Sequence, residues 1–339
     1  MGRPSFRHWL ILLSAACMIL LALPLAAGFF GAVHPALDSF SHFRAHLAAL
    51  MGIAALPLFA TRFLKVGAVF VLAAILAFAT TSGTVPVAGL GMKYGPLHPL
   101  DPERPVYKLL QLNLRYDNQT PERVLSMIGQ IRPDVVMLEE VSDLWGAKLE
   151  LLKAAYPFRI LCPYPKKLSG VAILSRRPFA EGTSPSCDGR GVFALATINF
   201  GGTSADIAAL HLGWPWPYPQ HWEIGGLTPY FQRIGETAIL AGDLNAVPWS
   251  QATSRVAEAG GLTLMPSPGA TWFPFGVPES LRFAGLPIDN VLAKGGVEIH
   301  SIRTLDSVGS DHLPVLVEFS LKPKPAEPEL ATDLAAAVR

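Results

Sequence analysis

Apolar and polar positions split the chain near residue 100 into two unlike parts. From Trp9 through Val33 no residue is charged, and about 20 apolar residues suffice to cross a bilayer. A second uncharged stretch, 47–61, is shorter and contains Pro57; a third covers 66–92, and its dense apolar part ends near Ala79. The pattern predicts a membrane anchor over 1–84 with three transmembrane helices. A Gly- and Pro-rich linker follows over 85–104, then a globular domain over 105–322 and a disordered tail over 323–339. Arg3 and Arg7 precede the first span, and Arg62 and Lys65 separate the second from the third. Positive residues favour the cytoplasmic side, so the N-terminus is expected inside and everything after about residue 90 outside. Two other arrangements fit the pattern: a signal peptide in place of the first span, or a re-entrant middle stretch, which would reverse the sidedness.

Beyond residue 105 the apolar runs shorten to strand length. Strands are expected at 107–114, 134–140, 171–174, 192–200, 206–212, 239–241, 288–292, 297–303 and 314–321. Thr120-Pro121 opens a helix to about Ile131, Ser142 caps one through Ala155, and another covers 250–259. Strands with helices inserted between some of them predict an α/β fold of two sheets packed face to face, with helices outside.

Polar residues recur where these strands end: Asn113, Glu140, His211, Asp243, Asn245, Asp289, Asp311 and His312. Any one of them alone is an ordinary turn residue. If the strand ends converge, the eight form one rim of carboxylates, carboxamides and two imidazoles.

The strings that carry these residues are Gln111-Leu112-Asn113, Leu138-Glu139-Glu140-Val141, Ala172-Ile173-Leu174-Ser175-Arg176, Leu210-His211-Leu212, Gly242-Asp243-Leu244-Asn245, Ile288-Asp289-Asn290-Val291 and Ser310-Asp311-His312-Leu313-Pro314. In this order they resemble the endonuclease/exonuclease/phosphatase superfamily over about 105–321. The resemblance implies a four-layer α/β sandwich, phosphoester hydrolysis and a Mg²⁺ or Mn²⁺ cofactor. It places Asn113, Glu140 and Asp311 at the metal. Asp243 would orient or deprotonate the attacking water, and Asn245 would donate to the developing charge. His312 would contact phosphoryl oxygens with Asp289 behind it, and His211 would steady the phosphate or protonate the leaving oxygen. Two positions depart from the family: Glu139 stands where a Gln is usual, and Asn290 where a His or Tyr is common.

Charge and aromatic content narrow the partners. Residues 105–322 hold 18 Lys plus Arg against 20 Asp plus Glu, a net of −2. A protein that grips nucleic acid through its phosphates carries a basic excess, so nucleic acid is a disfavoured partner. Trp214, Trp216, Tyr218 and Trp222 crowd the stretch after His211, and Thr271-Trp272-Phe273-Pro274-Phe275 forms a second apolar loop. They are either a platform at the membrane interface or packing beneath long loops. Gly201-Gly202 and Gly225-Gly226 lack a phosphate-loop context and read as turns, and Arg176-Arg177 reads as a solvated strand end. Cys162 and Cys187 pair if this part lies in an oxidising compartment, and are otherwise unrelated thiols. The whole arrangement also resembles a bacterial membrane subgroup linked to glycopeptide resistance. That implies a lipid-linked phosphate or pyrophosphate as substrate, with a metal-dependent nuclease and an inactive membrane-tethered binding module as alternatives.

Overall fold

The computed structural model describes residues 5–82, 93–163, 170–274 and 276–323. Four helices come first: α1 (Phe6–Ala27), α2 (Pro35–Ser41), α3 (Arg44–Ala55) and α4 (Leu64–Ser82). Among the described residues, only α1 and α4 are straight helices long and apolar enough to cross a membrane, and their outward faces expose Leu13, Leu20, Leu23, Val69, Leu72 and Ile75. The expected middle stretch falls in α3 and the 3-10 turn that extends it to Ala60; α2 precedes them at 62°, and the bent pair taken together is apolar enough for a third span. Asp38 and Arg44, the charged residues between the first and second apolar stretches, are buried. Arg44 donates to the carbonyl of Gly28 at 2.8 Å and so ties the end of α1 to α3. The expected tail beyond residue 323 and the first part of the expected linker, 85–92, lie outside the described residues.

The remaining elements are β1 (Tyr107–Asn113), α5 (Pro121–Ile131), β2 (Val135–Glu139), α6 (Asp143–Leu149), β3 (Phe158–Cys162), β4 (Val171–Ser175), β5 (Ser186–Cys187), β6 (Phe193–Asn199), β7 (Ser204–Leu210), α7 (Gln220–Phe231), β8 (Ala238–Asp243), α8 (Gln251–Gly260), β9 (Thr263–Leu264), β10 (Asp289–Lys294), β11 (Val297–Thr304) and β12 (Val315–Leu321). They build two six-stranded sheets, in the orders β11-β12-β1-β2-β4-β3 and β5-β6-β7-β8-β10-β9. Side chains alternate across each strand, so every central strand serves two cores. Leu109, Val135, Met137, Ile173, Ile207, Ile239 and Val317 fill the space between the sheets. Leu110, Leu112, Val136 and Leu138 face outward onto α5 and α6 through Val124, Ile128 and Trp145. On the other side Leu210 and Leu240 meet Ile224, Leu227 and Phe231 of α7 and Val256 of α8. The four-layer sandwich expected from the sequence is present.

Three local expectations change. Gly225 and Gly226 lie inside α7, because Ile224, Leu227 and Phe231 recur on one buried face and packing outweighs glycine's low helix propensity. The helix after Ser142 ends at Leu149 and tightens into a 3-10 turn. Phe158–Cys162 is an edge strand not anticipated from the sequence, and Cys162 at its end bonds Cys187 of β5, which ties edge strands of the two sheets.

Candidate active site

Two parallel strand pairs bring the polar rim together. β1 runs parallel to β2, and β7 to β8, so Asn113, Glu139, His211 and Asp243 all stand at or just past the carboxyl ends of strands. β10 returns antiparallel to β8 and sets Asp289 opposite Asp243. The alternation that buries Leu109 and Met137 between the sheets also turns Gln111, Asn113 and Glu139 into that space. Glu140 escapes it by adopting a left-handed backbone, φ 55°, which swings its carboxylate to the cleft. Gly242, φ 154°, lies so close to the carbonyl of Leu210 that a Cβ there would collide with it.

The side chains form one network across both sheets. Asn113 Nδ2 donates to Glu140 Oε1 at 3.1 Å and to Asp243 Oδ2 at 3.0 Å. Glu140 Oε2 accepts from the Tyr116 amide at 2.9 Å. The Nε2 atoms of His211 and His312 each lie 3.6 Å from Asp243 Oδ2, and His312 Nδ1 meets Asp289 Oδ2 at 2.8 Å. Gln111 Nε2 bridges Glu139 and Asp289 at 2.9 and 2.8 Å. Asn245 donates its backbone N–H to Asp243 Oδ1 at 2.8 Å and its amide to the Leu212 carbonyl at 2.8 Å. In this state the Asn245 side chain therefore orients the strand ends, with a longer 3.4 Å contact to Asp243 Oδ2. Asp311 accepts from Trp272 Nε1 at 3.2 Å. Six of the eight sequence-predicted residues line one cleft of about 290 Å³ with Tyr116, Trp214 and Trp272; Asn113 is buried and bonded to Glu140 and Asp243, and Asp289 lies behind His312.

Burial sets the protonation states. Burial alone would strip His312 of its proton, but Asp289 and then Asp243 outweigh it and lift the imidazole to about 10. Asp289 is pushed upward by burial but held below the usual carboxylate range by the same imidazolium. Asp243 rises to about 6, because burial and the nearby Asp289 outweigh its two histidines. Burial, then Asp289, pushes Glu139 well above the ordinary range. Glu139 Oε2 accepts from Gln111 Nε2, while Oε1 is buried without a hydrogen-bond partner among the described residues.

A divalent cation fits this rim. Two carboxylates, Glu140 and Asp243, converge on the single Asn113 amide, and Asp311 borders the same cleft. Hard oxygen donors of this kind suit small divalent ions. Asp243, Asp289 and His312 also offer ligand atoms within 4.8 Å of one another. Among these three, the His312–Asp289 hydrogen bond already engages Nδ1 and Oδ2.

Sequence reasoning missed Gln111, Tyr116, Thr271 and Ser310, which support the network through ordinary backbone and side-chain bonds that carry no local signature. Of the two departures from the family pattern, Asn290 donates to the carbonyls of Ala246 and Ile288 and serves the loop rather than the cleft. Arg177 pairs with Asp134 and Arg176 bonds the Arg132 carbonyl, so neither is poised for a substrate phosphate. Trp214, Trp216, Tyr218 and Trp222 are exposed by about half or more, which excludes simple packing for them. Trp214 stacks edge-on against Trp272, with centroids 5.6 Å apart; Phe275 lies outside the described residues.

Two packed mixed sheets flanked by helices, with a carboxylate and imidazole rim at their strand ends, define a deoxyribonuclease-like α/β sandwich. The chain belongs to the Endonuclease/Exonuclease/phosphatase family, whose sequence pattern matches residues 110–312. Its fold is similar to an endonuclease/exonuclease/phosphatase of Bacteroides vulgatus (TM-score 0.54, 17% identity, 65% of this chain and 100% of that one). It is also similar to one of Beutenbergia cavernae (TM-score 0.51, 20% identity, 66% and 74%). A third similar structure is a variant of the 3′ phosphatase NExo from Neisseria, bound to a product DNA hairpin (TM-score 0.50, 18% identity, 63% and 99%). No curated protein sequence matches the chain.

Proposed function

We propose that this protein is a membrane-anchored phosphoesterase that hydrolyses a lipid-linked phosphate or pyrophosphate at the outer face of the cytoplasmic membrane. The observation that carries this reading is the seating of the aromatic loop. Ser39, in the segment between the two bilayer-length helices, donates to the carbonyl of Trp216 at 3.0 Å, while Trp214 of the same loop borders the catalytic cleft. Exposed Trp and Tyr concentrate where a bilayer meets water, so the cleft is held at the surface where a lipid phosphate would present itself. The Cys162–Cys187 bond supports the outer location, because disulfides persist in oxidising compartments.

In this reading Asp243 takes a proton from the attacking water, a task suited to a carboxylate lifted to about 6. The water oxygen bonds to phosphorus as the ester oxygen departs on the opposite side. His312, kept as an imidazolium by Asp289, donates to a phosphoryl oxygen and stabilises charge that grows there. His211, on the cleft side of Asp243, gives the leaving oxygen its proton. Mg²⁺ or Mn²⁺, when bound, neutralises phosphoryl charge, and Glu140, Asn113 and Asp311 would hold it.

The test is phosphate release by the detergent-solubilised full chain from lipid-linked phosphates, run beside plasmid DNA, with Mg²⁺, with chelator, and with Asp243→Ala. Metal-dependent release from lipid alone is expected. DNA cleavage without lipid turnover would move the assignment to a nuclease, and silence on both would favour the inactive binding module.

A further inference from the structure

We propose that His42, in the break between α2 and α3, is a positioning residue for the catalytic loop that follows β8. This rests on the reading of Asp243 and Asn245 as catalytic groups. The N-terminal segment does not merely tether the domain. Among the described residues, six of its hydrogen bonds reach across more than 170 residues of sequence, and four of them land on 245–252. Trp249 Nε1 donates to the Ser41 carbonyl at 2.7 Å. Asp38 accepts from the amides of Gln251 at 2.8 Å and Ala252 at 3.0 Å. His42 Nε2 lies 3.2 Å from the carbonyl of Asn245. The other two join Ser39 to Trp216 and His46 to Ala284.

Helix α8 depends on this segment. The first amides of a helix have no partner within it. Here Ser250 satisfies Thr253, while Gln251 and Ala252 are satisfied by Asp38 from the N-terminal segment. The loop ahead of α8 depends on it too. Asn245 sits at φ 46°, in the left-handed region that few residues other than glycine and asparagine adopt. Its carbonyl has two side-chain donors, His42 and Gln220, and Gln220 also serves the carbonyls of Gly213 and Leu244. Both nitrogens of the buried His42 ring face carbonyls, Nδ1 that of Asp38 at 3.3 Å and Nε2 that of Asn245 at 3.2 Å. A neutral ring carries one N–H, and the proposed role requires the Nε2–H tautomer, which donates it to Asn245. Holding that carbonyl fixes the peptide plane after Asn245. Asn245 in turn fixes the Asp243 carboxylate through its own N–H at 2.8 Å. The path from the N-terminal segment to the water-activating carboxylate is thus His42, Asn245, Asp243, with hydrogen bonds at both steps.

The experiment uses the full chain in detergent, with bis(p-nitrophenyl) phosphate and Mg²⁺ as the probe reaction, comparing wild type, His42→Ala and His42→Gln. The Gln amide nitrogen can reach the place of the His Nε2. Displacing a catalytic group by a fraction of an ångström to about 1 Å costs roughly 10- to 100-fold. We expect His42→Ala to lose kcat by that factor with KM and thermal midpoint nearly unchanged, and His42→Gln to regain most of it. Unchanged kcat in His42→Ala would overturn the proposal, as would a loss that tracks the thermal midpoint or that Gln does not restore. Should wild type leave the probe intact, the failure belongs to the catalytic reading. Amide exchange over 244–252 then decides alone. Faster exchange in His42→Ala supports the positioning contact, and unchanged exchange refutes it.

Discussion

Asp289→Asn tests the electrostatics of the site most directly. The substitution keeps the size of the side chain and removes one buried charge. Asp289 and Asp243 together lift His312 from 6.5 to about 10, against the opposing pull of burial. At about 1.4 kcal/mol per unit, that is on the order of 5 kcal/mol in favour of the imidazolium. Asp289 touches the ring at 2.8 Å and Asp243 faces it at 3.6 Å, so more than half of the effect belongs to Asp289. Asp289→Asn should therefore lower the His312 value well below about 10. In a rate profile taken from pH 5 to 11, the alkaline fall of activity should move down with it. Near pH 7 the rate should drop roughly 10- to 100-fold, because the ring also loses the partner that fixes its orientation.

Stability must follow the same sign. His312 has a folded value above its unfolded one, so its contribution is complete below about 6.5 and disappears as pH rises through about 10. Denaturant unfolding of the wild type at pH 6.5 and pH 9.5 should register part of that loss, and Asp289→Asn should flatten it. An alkaline limb that stays in place in Asp289→Asn would refute the assignment of His312 as an imidazolium held by Asp289.

Further outcomes follow from other parts of the molecule. Glu139 has a folded value raised by burial, so above its unfolded range the folded state binds the extra proton and stability falls as pH rises; Glu139→Gln should remove that fall, seen as a thermal midpoint less sensitive to pH between 5 and 8. Replacing Cys162 and Cys187 together by Ser opens a loop with a sequence separation of 25 and should cost about 3.5 kcal/mol in denaturant unfolding, a difference that reductant abolishes. Gly242→Ala forces a Cβ against the Leu210 carbonyl beside Asp243 and should yield a chain that either fails to fold or retains less than about a hundredth of wild-type turnover, checked by circular dichroism and phosphate release.

Much of the site was legible because strand ends write themselves into sequence. Alternation across β1 and β2 places Gln111, Asn113 and Glu139 on one face, and a polar residue after an apolar run marks where each strand stops. What stayed hidden depends on contacts between segments far apart in the chain. Helix α7 was obscured by two glycines and a proline, and only its buried Ile224, Leu227 and Phe231 account for it. The raised proton affinity of Glu139 comes from the exclusion of water by both sheets and from Asp289, 150 positions later in the chain. Asp38 and His42 carry no motif at all. In the sequence they sit between hydrophobic runs, where a charge reads as a marker of sidedness. In the fold they are hydrogen-bonded to residues more than 200 positions away, at the loop that holds Asp243 and Asn245. A charge that is buried and satisfied cannot report on sidedness, so the weight of the orientation rule falls on Arg7, Arg62 and Lys65, which form no such long-range bonds among the described residues. The N-terminal segment therefore combines two things: apolar helices long enough to cross a bilayer, and polar residues between them that hydrogen-bond to the loop after β8.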